Sequence, residues 1–343
     1  MEKMNCKERL HRVLSGEAVD RPPCICPGGM MNMITQDLMR ECGLFLPEAH
    51  TDATAMAGLA KAVLNQGCFE NYGVPFCMTV EAEEMGSEVD LGSDVYEPHV
   101  TGYAIQSAEE WTSLSPVSLE EGRSRIVLDA IRILKVDASS KVPIIGNLTG
   151  PISTAGSVLE PTTLYREMRR NPDAAHRLLQ FVTEQLIRFA RAQAEAGADV
   201  IAISDPSGTG EILGPKLFEQ YAVRYLNQLL EGISDIAGGT IVHICGQMKQ
   251  VYEQVDLIRS QALSFDSVVP MREARAHLNR RTLMGNVSTY ALEFAAPEKV
   301  GQLARGCIKN GADILSPACG LGMRSPIANI QAMCRSVQEK IDD

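Results

Sequence analysis

The chain has 343 residues, of which 45% are apolar and 22% charged, and a formal net charge of −11. That composition excludes a disordered chain, and the acidic balance argues against a nucleic-acid partner, which favours a basic surface. No apolar run reaches the ~20 residues of a membrane span, and the N-terminus lacks the apolar core of a signal peptide. The expectation is a cytoplasmic protein with no membrane partner. Ten scattered cysteines show no dense framework, which predicts a reducing compartment and mostly free interior thiols.

In chain order, residues 1–9 turn into a charged helix pattern. Apolar runs then predict strands at 23–26, 74–78, 142–147, 199–204, 240–245, 262–266, 282–285 and 313–317. Met30, Met31 and Met33 follow the first strand and suit either adaptable core filling or a soft lining for a large cofactor. Glu81, Glu83, Glu84 and Glu88 read as a solvated acidic stretch. Residues 87–100 alternate differently around Gly92-Ser93 and read as an inserted hairpin. Asn171-Pro172-Asp173 opens a helix, by a capping side chain, a proline in the first turn and an acid at the positive end. Leu178, Leu179, Val182, Leu186, Phe189 and Ala190 form its apolar stripe, and Gly197 stops it. Gly208-Thr209-Gly210 lacks the lysine and spacing of a P-loop and reads as a mobile βα loop. Pro297 and Gly311 repeat the same helix punctuation, and Gly-Ala-Asp precedes the strand in both places.

Eight strands with helices between the later ones predict an α/β fold, a (β/α)8 barrel spanning residues 1–343 as a single domain. An open doubly wound sheet is the rival, weakened by the missing Gly-x-Gly-x-x-Gly after the first strand. Asn147, Asp205, His243, Cys245, Asp266, Asn286 and Cys319 all fall at or just beyond the C-terminal end of an expected strand. Barrels of this kind do their chemistry on that face. Of these residues, Asn147, Asp205 and Asn286 are the expected cofactor-binding set.

His243 and Cys245 lie two apart on one strand, so their side chains share a face. With Cys319 they offer one imidazole and two thiolates, donors that suit zinc, and three protein ligands leave the open position of a catalytic site. No Cys-x-x-Cys knuckle is present. The same residues also fit a plainer reading, two buried thiols and a core histidine. Cys24-x-Cys26 has no nearby histidine and reads as core strand.

These segments resemble the uroporphyrinogen decarboxylase superfamily, and within it the zinc-dependent methylcobalamin:coenzyme M methyltransferases. The resemblance covers nearly the whole chain. It runs through Lys7-Glu8-Arg9-Leu10, Asp20-Arg21-Pro22-Pro23, Tyr72-Gly73-Val74-Pro75-Phe76, Thr79-Val80-Glu81-Ala82-Glu83 and Gly146-Asn147-Leu148-Thr149-Gly150-Pro151. Ala202-Ile203-Ser204-Asp205-Pro206, Gly285-Asn286-Val287 and Ser325-Pro326-Ile327-Ala328-Asn329-Ile330 also fit. His243-Ile244-Cys245-Gly246 and Cys319-Gly320-Leu321 match the methyltransferase zinc motif. The decarboxylases carry arginines after the first strand, where this chain reads Cys26-Pro27-Gly28-Gly29-Met30-Met31, so decarboxylation is disfavoured.

The resemblance implies zinc on His243, Cys245 and Cys319, with Asp266 in the position of a fourth ligand that the substrate displaces. It implies methyl transfer from methylcobalamin, carried by a small corrinoid-binding protein, to a small thiol such as coenzyme M. Asp266 is also the first candidate to relay the thiol proton, and Arg324 is a loop candidate for a sulfonate. The alternatives are a decarboxylase-like enzyme, a homocysteine-using relative, or a barrel that binds corrinoid or zinc without turnover.

Overall fold

The computed structural model describes residues 3–236 and 238–338. Its main sheet is parallel and six-stranded: β1 (Tyr72–Val74), β4 (Ile144–Thr149), β5 (Val200–Ser204), β6 (Thr240–Ile244), β7 (Ala262–Phe265) and β8 (Thr282–Met284), paired in that order. Strands β4 to β7 are buried along their whole length. That is why they read as unbroken apolar runs rather than as alternation: helices cover one side and the barrel core fills the other.

Two short segments close the sheet into a ring. Cys24 pairs in parallel with Leu315, and Ile314 pairs with Met284. Glu70 N–H donates to the Cys24 carbonyl at 3.0 Å. The Asn71 side chain then completes the ladder, accepting from Cys26 N–H and donating to its carbonyl. Residues 23–26 and 313–317 thus supply the first and eighth positions of the expected (β/α)8 barrel. The second strand lies at 72–74, not 74–78. Pro75 has no N–H to give the ladder, so the strand ends before it.

The expected hairpin is present as β2 (Glu88–Asp90) antiparallel to β3 (His99–Gly102), joined by residues 91–98. The helix Pro172–Ala196 forms with its whole expected stripe buried, and Gly197 takes φ 125° at its end. Asn171 does not cap it by side chain; its amide donates to Glu109 instead. The second punctuated helix runs Pro297–Lys309 and ends before Gly311 at φ 107°.

The entry end of the barrel is pinned by charge. Arg9 on the helix Cys6–Leu14 is buried, donates to Asp20 at 2.7 Å and to the Met4 carbonyl at 2.6 Å, and Arg21 pairs with Glu70. Among the described residues, no helix is long and apolar enough to cross a membrane. All ten cysteines are free and five are buried. Met31 and Met33 are core residues, while Met30 is half-buried.

Candidate metal centre

β6 carries His243 to its exit end, where the parallel register sets it beside Ser264 of β7. The imidazole Nδ1 lies 2.9 Å from Ser264 Oγ. That contact fixes the ring and turns Nε2 toward the mouth, 3.3 Å from Cys245 Sγ. Cys245 follows directly after β6, and Gly246 turns the chain away with φ 80°. A Cβ on Gly246 would stand 3.1 Å from the Glu211 carboxylate, so glycine fits both the angle and the space.

Cys319 arrives from the far side of the ring, three strand positions from β6. Its segment is clamped on both flanks: Ala318 N–H donates to Val287 O, and Leu321 N–H donates to Asn32 O, both at 2.8 Å. Barrel closure therefore brings residue 319 to residue 245, with the two sulfurs 4.0 Å apart. The donor atoms of His243, Cys245 and Cys319 lie within 4.8 Å of one another, and no other group of three or more such residues among those described does so.

This spacing can be compared with a tetrahedral ion. Zinc–sulfur bonds of 2.3 Å and zinc–nitrogen bonds near 2.0 Å place two sulfurs ~3.8 Å apart and nitrogen ~3.5 Å from sulfur. The observed 4.0 and 3.3 Å sit close to both values. The soft donors, their mutual distances and the oriented imidazole fit a zinc ion. His243 is buried while both thiols are half-buried, so the sulfur side faces the opening. Hydrogen bonding between the sulfurs lowers the Cys319 thiol and raises Cys245; His243 helps to lower Cys319, while burial and Asp266 help to raise Cys245.

The other expected site residues do not join this cluster. Asp266 sits just beyond β7, where Oδ1 accepts from Ser267 Oγ and Val268 N–H. Its charge reaches Cys245, but its carboxylate lies outside the three-donor group. Asn286 donates to the Asp266 and Val269 carbonyls at 2.9 and 2.8 Å and so holds the turn that carries Asp266. Asn147 is buried; its amide donates to Pro27, Val74 and Ile145 carbonyls, and Oδ1 is left without a partner. Asp205 is fully buried at the start of the helix Pro151–Val158, accepting from Ile152 N–H and from both Ser153 N–H and Oγ. Burial raises its pKa against those bonds. Arg324 is exposed on the loop after Cys319.

The acidic stretch is corrected by the structure. Glu81 is 2% exposed and accepts from Thr149 N–H and Oγ1, with burial raising it to about 7. Glu83 pairs with Arg123 at 2.8 Å, and Glu84 accepts from Ser124 N–H. Only Glu88 is exposed as expected. Sequence reasoning also passed over Ser264, Glu97 and Glu211. Ser264 could have been found from its even spacing to Asp266 on one strand. A cavity of about 350 Å³ opens beside Gly246, lined by Gly210, Glu211, Gln247, Lys249 and Gln250.

Comparison with known proteins agrees with this architecture. The family described as Uroporphyrinogen decarboxylase (URO-D) matches residues 5–340. A methylcobamide:CoM methyltransferase MtbA of Methanosarcina acetivorans is 32% identical over 328 residues, 95% of this chain and 96% of that protein. A methylcobamide:CoM methyltransferase MtaA of Methanosarcina barkeri is 30% identical over 342 residues, 99% of both. A solved methyltransferase from Methanosarcina mazei superposes with a TM-score of 0.90 at 29% identity, covering 98% of this chain and 99% of that one. On this evidence the chain belongs to the uroporphyrinogen decarboxylase family.

Proposed function

We propose that this chain, acting as one barrel domain over 1–343, moves a methyl group from a methylated corrinoid to the sulfur of a small thiol. The observation that carries the reading is the cluster of buried His243 with half-buried Cys245 and Cys319 at the barrel mouth. Relatives named as methylcobamide:CoM methyltransferases, similar over nearly the full length, support the same reaction.

His243, Cys245 and Cys319 would hold zinc, and Ser264 would keep the imidazole in the ligating orientation. Zinc bound there supplies an open position that takes a thiol sulfur as its thiolate. Two cysteine sulfurs offset the charge of the dication, which leaves negative charge, and nucleophilicity, on the substrate sulfur. Asp266 stands close enough to act on Cys245 and is the carboxylate that the family resemblance puts in a fourth-ligand role; Asn286 holds its turn in place. Asn147 and Asp205 brace the loops around the mouth. The cavity beside Gly246 is lined by one acid, Glu211, and one base, Lys249; Lys249 would be the counter-charge for an anionic thiol such as coenzyme M.

The donor is a corrinoid on a separate small protein that docks over the exit face. Tyr290 and Phe294, on the helix that follows β8, are 74% and 66% exposed with ring centroids 4.8 Å apart. Val268 after β7 is exposed as well. An apolar rim of this kind suits transient docking.

The test offers a panel of thiols with methylcobalamin to zinc-loaded protein and follows demethylation by the visible spectrum. The reading expects turnover with anionic thiols above neutral ones, and its loss in Cys245→Ser and Cys319→Ser. Full turnover in either variant contradicts it.

A further inference from the structure

We propose that Glu97, which the inserted hairpin holds one residue away from the segment carrying Cys319, takes the proton of the incoming thiol. The proposal rests on the reading of the centre as a thiol-binding zinc site. A thiol has to lose its proton as its sulfur binds: the S–H bond breaks, the sulfur–metal bond forms, and the proton needs a base.

Asp266 already uses its Oδ1 to close its own turn, accepting from Ser267 and Val268. Glu97 is the alternative that the fold builds. It lies in the 91–98 connection of the β2–β3 hairpin, and its Oε1 accepts from Asn32 Nδ2 at 3.3 Å. Asn32 in turn accepts from Leu321 N–H, two residues past Cys319, and a Cβ on Gly320 would press on Met30 O and Asn32 N. One residue therefore separates this carboxylate from the segment that carries the third ligand.

Among the described residues, the titratable groups that face Glu97 are Cys319 and Cys77, both acting to raise it, and no cation acts on it. His99 on β3 meets its backbone carbonyl through Nδ1 at 3.4 Å. Cys77 itself accepts from Arg123 at 2.9 Å. Residue 97 is exposed to solvent as a whole, which gives the proton a way out, but the partial withdrawal of its carboxylate raises it to about 7. A base at that pKa is matched to neutral pH.

The test counts protons by calorimetry in buffers of different ionisation heat, as 2-mercaptoethanesulfonate binds zinc-loaded protein from pH 5.5 to 7.5, a range in which the free thiol keeps its proton. Near pH 5.5 Glu97 is already protonated, so one proton per thiol reaches the buffer. Around and just above pH 7 the wild type should release clearly less than one, because Glu97 retains it. Glu97→Gln should release one proton throughout, with zinc content unchanged. A wild-type count of one across the whole range overturns the proposal without any variant, and so does a dip that survives in Glu97→Gln. Failure of the wild type to bind the thiol at all would instead remove the metal-thiol reading, and this assignment with it.

Discussion

At the residue scale, the centre depends on one contact that does not touch the ion. Ser264 Oγ on His243 Nδ1 decides which ring nitrogen faces the two sulfurs. Partners of this type typically change metal affinity by about 10–100-fold. Ser264→Ala should weaken zinc binding by about that factor in a chelator competition, while leaving the fold intact; unchanged affinity would mean that packing alone orients the ring. His243, Cys245 and Cys319 were legible because residue type and strand spacing are local properties. Ser264 was not, because its role comes from the β6–β7 register. Glu97 was hidden for a related reason: its partner Asn32 lies 65 residues away and belongs to another loop.

At the element scale, a buried carboxylate ties the helix Val80–Glu84 to β4. Glu81 accepts two bonds from Thr149 and faces no paired cation, so burial favours its neutral form. The folded pKa is about 7, against 4.5 for the free group. Its stabilising contribution is therefore complete below about pH 4.5 and is lost as pH rises through about 7. The difference corresponds to a change on the order of 3 kcal/mol. Glu81→Gln should flatten denaturant midpoints between pH 5 and 9 and be relatively more stable at the alkaline end. An unchanged slope would show that the group is ionised in the native protein. Sequence reasoning misplaced this residue because four glutamates within eight positions look like a wet surface, and only the strand below them shows otherwise. The span of the helix Pro172–Ala196 was legible, since its stripe and its proline and glycine punctuation are local, but the capping by Asn171 was not, because its amide bonds Glu109 on a separate element. The second strand was shifted because Val74 to Met78 is apolar, yet Pro75 interrupts the hydrogen-bond ladder.

At the scale of the whole molecule, ring closure is what turns scattered residues into a site. Pairing of Leu315 with Cys24 and of Ile314 with Met284 brings the end of the chain back to its beginning. Cys319 then faces Cys245 across the mouth. The same geometry gathers the loops after β7 and β8 into one exposed rim. If that rim receives the corrinoid protein, Tyr290→Ala with Phe294→Ala should raise KM for the protein-bound donor severalfold and leave the rate with free methylcobalamin unchanged. Equal effects on both donors would place the docking surface elsewhere. The barrel could be read from its alternating elements, but the partner face could not, because exposure depends on how separate loops come together.

The most direct measurement is X-ray absorption at the zinc edge, with and without bound thiol. The account predicts two sulfurs and one imidazole nitrogen at rest, and a third sulfur at about 2.3 Å after 2-mercaptoethanesulfonate is added. An ion whose sulfur count stays at two in the presence of saturating thiol, or one already surrounded by four protein ligands that the thiol does not displace, would contradict it.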